Sequence, residues 1–203
     1  FTSTVTVYGM TNNKHVNENF KTTPISWYDF TKLTIERYFE FFSSIYAIDF
    51  ACLRLSNVYG YTKYSQNNRG FINKIIKQSI EKKKISVKIY DNGTYYRDYI
   101  YIDDVNSALL CFLNKKKLKD KIFNLCSGKS ISMLNLLNKI QSKLIKKNIT
   151  LKIIKSKSPN NINLINKRNF FGCNLKLKKN IMWKPKYDID KGIDKTIKKY
   201  YVK

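Results

Sequence analysis

Ile48 to Leu55 reads IDFACLRL, and SNVYG follows at Ser56 to Gly60. The first stretch is nearly continuous in apolar residues and ends in a polar loop. That is the pattern of a strand covered on both faces, the usual state in a parallel sheet. Just upstream, Ser26 offers an N-cap, and Leu33, Ile35, Phe39 and Phe42 set a broad apolar face, which predicts a helix over 26–46. Before it, STVTV (Ser3 to Val7) is β-branched and reads as a strand. YGM and TNNKHVNENFKTTP connect the two as a loop ending at Pro24. Strand, helix and strand in this order predict an α/β layer architecture.

Downstream, SNVYGYTKYSQNNRG reads as a polar loop, and Phe71 to Lys84 as a helix with Ile72, Ile75, Ile76 and Ile80 on one face. SVKIY (Ser86 to Tyr90) and Asp98 to Ile102 read as strands separated by a turn at Asp91 to Gly93. Asp103 or Asp104 then caps a helix with Val105, Ala108, Leu109 and Phe112 aligned. KIFNL is a short strand and CSGKS a turn. Ser130 or Ser132 caps a helix carrying Leu136, Leu137, Ile140 and Leu144. TLKIIK is strand-like, and a last helix from Ile189 buries Ile193 and Ile197. No internal repeat is present.

The formal net charge is +25, which raises the possibility of a nucleic-acid partner. Only Arg37, Arg54, Arg69, Arg97 and Arg168 supply arginine, the usual reader of bases and phosphates. The lysines come with abundant Asn, Ile and Tyr, a pattern that codon composition alone produces. Between Val105 and Tyr187 the single acid is Asp120, so this half can still attract an anion. No run of about 18 apolar residues exists, so no transmembrane helix is expected. Cys52, Cys111, Cys126 and Cys173 form no CxxC and have apolar neighbours, the pattern of free thiols in a reducing compartment. His15 has no ligand-type neighbours, so no metal site and no Ser-His or Cys-His system is expected. The chain opens on Phe1, and its first methionine is Met10, past the first strand, so the reading expects a fragment or a processed product.

ISWYDFTK (Ile25 to Lys32) carries the chemistry. Positions four apart share one face of a helix, so Tyr28 and Lys32 project side by side. An ammonium and a helix N-terminus each favour a phenolate, and a phenolate can take a proton from a hydroxyl as hydride leaves the same carbon. In a chain this rich in Tyr and Lys the spacing also arises by chance. The order of motifs decides. TSTVTVYG precedes the pair, and LRLSNVYG, YYRDYIYIDDV, FNLCSGKSIS and WKPKYDIDKGI follow it. With these five in sequence the chain resembles the NAD-dependent epimerase/dehydratase family, the extended short-chain dehydrogenase/reductases that act on nucleotide sugars, from Ser3 to about Ile193. Its 4-epimerase branch is the nearest likeness, with dehydratases and reductases sharing the motifs.

The resemblance implies the following roles. Tyr28 is the catalytic base; Lys32 positions the nicotinamide ribose of NAD and tunes Tyr28; Thr4 supplies the third hydroxyl, where the family often has Ser. Asn57 and Arg97 contact the phosphates of a nucleoside-diphosphate sugar, and charge-assisted bonding suits Arg to that. Arg69 and Arg168 fall in segments that line the substrate site. On the residues alone, Asn57 also reads as a turn residue and Arg97 as a surface partner of Asp98 or Asp103. The implied fold is the C-terminal part of a Rossmann-like doubly wound parallel sheet plus a smaller α/β substrate-binding domain. Residues 1–60 are expected to belong to the NAD-binding part and 61–203 to the substrate domain, with roughly 98–115 packing back. The family's Gly-rich turn, which brings backbone to the pyrophosphate, has no counterpart among the seven glycines. Cys173 and Asn174 stand where the family usually has Asp. The chain alone is therefore expected to bind NAD weakly and turn over nothing. A cytoplasmic homodimer is the family-level expectation, with the helix from Ser26 as a contact face. The rivals are a non-catalytic nucleotide-sugar-binding remnant and, with less support, a basic nucleic-acid-binding protein.

Overall fold

The computed structural model describes residues 1–12, 14–62, 70–115, 118–159 and 164–201. In chain order the elements are β1 (Thr2–Thr4), a 3-10 turn (Val5–Tyr8), β2 (His15–Val16), α1 (Trp27–Tyr46), β3 (Cys52–Leu55) and β4 (Asn57–Tyr59). Then come α2 (Phe71–Lys82), β5 (Lys84–Tyr90), β6 (Tyr96–Tyr101), α3 (Ile102–Leu113), β7 (Ile122–Leu125) and β8 (Ser130–Ser132). The chain closes with α4 (Met133–Ile145), β9 (Thr150–Ser156), α5 (Leu164–Lys167), β10 (Phe171–Gly172), α6 (Leu175–Ile181) and α7 (Ile189–Tyr201).

The IDFACLRL stretch is the middle of a parallel sheet ordered β1-β3-β7, with Leu53 opposite Thr2 on one side and Phe123 on the other. Its pairing begins only at Cys52. Leu53, Phe123 and Leu125 face Val105 and Ala108 of α3 and Leu177, Ile181 and Trp183 of the α6 segment. This core draws on both sides of residue 60. The second core gathers Ile72 and Ile76 of α2, Ile89 of β5, Leu137 and Ile140 of α4, Leu151 of β9 and Ile193 of α7. There β5 and β9 pair in parallel, while β6 pairs with β4 in parallel and with β8 antiparallel. Gly192 permits the contact between α7 and β4, because a Cβ there would lie 1.9 Å from the Tyr59 hydroxyl oxygen.

Three local expectations change. The strand predicted over Ser3 to Val7 stops at Thr4, whose hydroxyl accepts the Thr6 N–H and turns the chain into the 3-10 turn. The loop predicted from Ser56 contains a strand, because Asn57–Tyr59 finds an edge on β6. Neither Asp103 nor Asp104 caps α3, which starts at Ile102 after Tyr101 with no side-chain cap. The Asp104 carboxylate instead accepts the backbone N–H groups of Lys186 and Tyr187, at 2.8 and 3.1 Å, anchoring the WKPKYD segment. Ser132 does cap α4, accepting the Asn135 N–H at 3.2 Å.

Candidate active site

Ser26 caps α1 by accepting the Asp29 N–H at 3.2 Å, a Ser-x-x-acid arrangement that fixes the first turn. Tyr28 on that turn is 58% exposed. Lys32 follows one turn on, its Nζ 5.9 Å from the centre of the Tyr28 ring and donating to the Thr2 carbonyl at 2.8 Å. The pair thus sits beside β1. Thr4, at the end of β1, is buried, and its hydroxyl oxygen lies 2.9 Å from that of Thr6.

Asn57 opens β4 and donates from Nδ2 to the Asp98 carbonyl at 3.0 Å. The Asp98 side chain is fully buried and accepts from Ser56 Oγ, Ser127 N, Ser127 Oγ and Gly128 N, all within 3.0 Å. Burial pushes its carboxyl above the usual range despite those donors. This node joins β3–β4, β6 and the turn after β7, and so holds Arg97 in place. Arg97 donates to the carbonyls of Tyr96, at 3.0 Å, and Ile165, at 3.4 Å. Burial above all, with a smaller contribution from the like charge of Arg168, pulls its guanidinium below the ordinary arginine value. Arg168 is buried and pairs with Asp29, at 3.4 Å from NH1 to Oδ1 and 2.5 Å from NH2 to Oδ2.

Asn57, Arg97 and Arg168 meet around one cavity of about 230 Å³, with Val5, Thr6 and Gly9 as its other wall. Gly9 has φ +67°, and a Cβ there would lie 2.0 Å from the Thr23 carbonyl oxygen. Thr4 is one hydrogen bond behind this wall, through Thr6. Tyr28 and Lys32 stand outside it, on the helix that Asp29 ties to Arg168. Arg69 lies outside the described residues. Asn174 bonds the Cys126 carbonyl at 2.9 Å. Sequence reasoning did not single out Thr6 or Asp29; the signals were Thr6 within TSTVTVYG and Asp29 three residues after the Ser26 cap. A larger cavity, of about 900 Å³, lies among Tyr99, Ile131, Asn135 and Tyr187. Its wall mixes Lys129, Lys139 and Lys186 with Asp188 and Asp190, so it does not concentrate charge of one sign. Among the described residues no group of three His, Cys, Asp or Glu could hold a metal ion, and no helix is long and apolar enough to cross a membrane.

A model of the NAD dependent epimerase/dehydratase family matches residues 1–126. The chain is 34% identical over 138 residues to a putative UDP-glucose 4-epimerase of Methanocaldococcus jannaschii, covering 68% of this chain and 44% of that protein. It is 32% identical over 200 residues to the dTDP-4-dehydro-6-deoxyglucose reductase of Escherichia coli, covering 95% of this chain and 58% of that one. The UDP-glucose 4-epimerase of Thermotoga maritima, solved with UDP-glucose, superposes with a TM-score of 0.81 at 26% identity, over 100% of this chain and 62% of that chain. The chain thus spans about half the length of the curated relatives it matches.

Proposed function

The chain belongs to the NAD dependent epimerase/dehydratase family, and from that premise we propose that the native protein acts on a nucleoside-diphosphate sugar by transient oxidation at a sugar hydroxyl. The cavity shared by Asn57, Arg97 and Arg168 carries this reading. Arg97 and the Arg168–Asp29 pair bring guanidinium N–H groups to this wall, and a diphosphate supplies acceptor oxygens suited to arginine donors. Asn57 adds an amide at the same wall.

Tyr28 takes the proton of the sugar hydroxyl, with Lys32 as the neighbouring positive charge and Thr4 sharing the hydrogen bond. Tyr28 and Lys32 also fit the nicotinamide ribose, because an accessible phenol and an ammonium beside β1 offer donors to its hydroxyls. When bound, NAD supplies the acceptor for the hydride. Trp27, Tyr38, Phe41, Ile45 and Tyr46 are exposed along α1, which supports a homodimer through that helix. Four free cysteines support a cytoplasmic setting.

Tyr28→Phe in the native protein tests the assignment. Turnover should fall by about 10²- to 10⁴-fold with an unchanged circular dichroism spectrum. An unaffected rate would remove Tyr28 from the chemistry.

A further inference from the structure

The larger cavity, of about 900 Å³, shares no described lining residue with the one that Asn57, Arg97 and Arg168 line. Tyr99 of β6, Ile131 of β8, Asn135 of α4 and the 185–190 segment build it. Its aromatic walls are held in place. The Asp104 carboxylate grips the segment through the N–H groups of Lys186 and Tyr187. Lys195 donates to the Tyr187 hydroxyl at 2.5 Å, and the Tyr101 ring packs 4.7 Å from the Tyr187 ring. The Tyr99 ring meets Tyr59 edge-on at 6.4 Å. Most of the wall's charge is taken up within the protein. Lys139 donates to Asp190 at 2.6 Å, and Asp188 accepts the Lys191 N–H at 2.8 Å in the first turn of α7. Lys129 and Lys186 are exposed, where water and salt screen an ammonium. The uncommitted groups that remain are neutral. Asn135 and Asn138 stand on one exposed face of α4, and both line the cavity. Neither of their side-chain amides, nor the Tyr99 hydroxyl, meets a hydrogen-bond partner among the described residues. Burial pushes the Tyr99 phenol up to about 12, so it stays a neutral donor.

A free amide offers donors and an acceptor, and a phenol offers a proton and lone pairs. A sugar hydroxyl also both donates and accepts, so each of these groups can meet one in either direction. The Tyr99 and Tyr187 rings, with Ile131 and Pro185, supply apolar surface for the C–H face of a pyranose. A purely apolar ligand would strand the amides and the phenol. An anion would find the ammonium groups already paired or screened. The volume suits a small-molecule ligand. We propose that this cavity is a second ligand site that takes a neutral saccharide, read by the side chains of Asn135, Asn138 and Tyr99. It is separate from the diphosphate site, since the two cavities have no described wall residue in common.

The test is saturation-transfer NMR on the native protein, with maltose, cellobiose and lactose as probes and glucose 6-phosphate as the anionic comparison. At least one neutral disaccharide should bind, with transfer to its ring protons. Asn135→Ala combined with Asn138→Ala should weaken that binding by about tenfold or more, and Tyr99→Phe by about two- to tenfold. Both asparagines are exposed, so the double variant should keep the wild-type circular dichroism spectrum. Excess UDP should leave the signal in place. Absence of transfer to all of the disaccharides, or a folded double variant that binds as the wild type does, would overturn the proposal. So would tighter binding of glucose 6-phosphate than of any neutral sugar, or displacement of the disaccharide by UDP, which would place it in the nucleotide-sugar cavity instead.

Discussion

Two buried arginine–carboxylate pairs grip helix α1, and they differ in completeness. Arg54 meets Glu36 through Nε at 3.0 and 3.2 Å and through NH2 at 2.6 Å. Ser3 donates to the same carboxylate, and the Tyr8 ring lies 4.8 Å from the guanidinium carbon. The Tyr8 hydroxyl continues the network by donating to Asn124 at 2.8 Å. Burial pushes the Tyr8 phenol up to about 12, so it remains a neutral donor. This network clamps α1 onto β1 and β3. Arg168 and Asp29 form the other pair, but the Arg168 Nε is buried with no hydrogen-bond partner among the described residues. Arg168 also lines the cavity, which Arg54 does not. The same chemistry serves packing where the arginine's Nε and NH2 both meet the carboxylate, and serves a site where Nε is left over.

The largest effect is expected from Arg54→Met. It strands the Glu36 carboxylate in the core and should cost about 3–5 kcal/mol in urea unfolding. Adding Glu36→Leu should recover most of that loss, since a well-packed apolar pair can replace a buried ion pair. A loss below about 1 kcal/mol for the single variant would contradict the clamp. Arg168→Met should cost less, about 1–3 kcal/mol, because this pair is the less complete of the two, with the Arg168 Nε already lacking a partner among the described residues. Equal losses for the two arginine variants would erase the contrast.

The smallest effect is a pH dependence. The Asp29 carboxyl is lowered in the folded chain, so it binds its proton more weakly there than when unfolded. Its contribution is fully present above the unfolded value, about 3.9, and is lost as pH falls through the lower folded value. The stability gap between wild type and Asp29→Asn should therefore hold from neutral pH down to about 4 and close below it. A gap that widens in acid would reverse the assigned sign.

Much of this was legible in the sequence, for physical reasons that differ by element. The helix from Ser26 was readable because its cap and apolar spacing are local, and α1 runs from Trp27 to Tyr46 behind that cap. IDFACLRL announced a doubly covered strand by composition, although pairing waits for Cys52. Asn57 and Arg97 were reachable through the order of motifs, and they do meet at one cavity. Asp104 was misread because a carboxylate in a first helical turn looks like a cap, while its real partners are the distant amides of Lys186 and Tyr187. The Arg168–Asp29 pair was unreadable for the same reason. Nothing within either neighbourhood encodes a contact across 139 residues.

That separation also has a kinetic side. The Glu36–Arg54 pair closes a loop of 18 residues, whereas Asp29 must wait for a partner 139 residues later. Loop closure costs entropy that rises with length, and non-local contacts form late. During synthesis from the N-terminus, the helix bearing Tyr28 and the clamp on β1 can exist before the cavity wall does. Competence of the site is then timed by the emergence of Arg168, so a chain cut short before that residue would keep the tyrosine and lose the wall beside it.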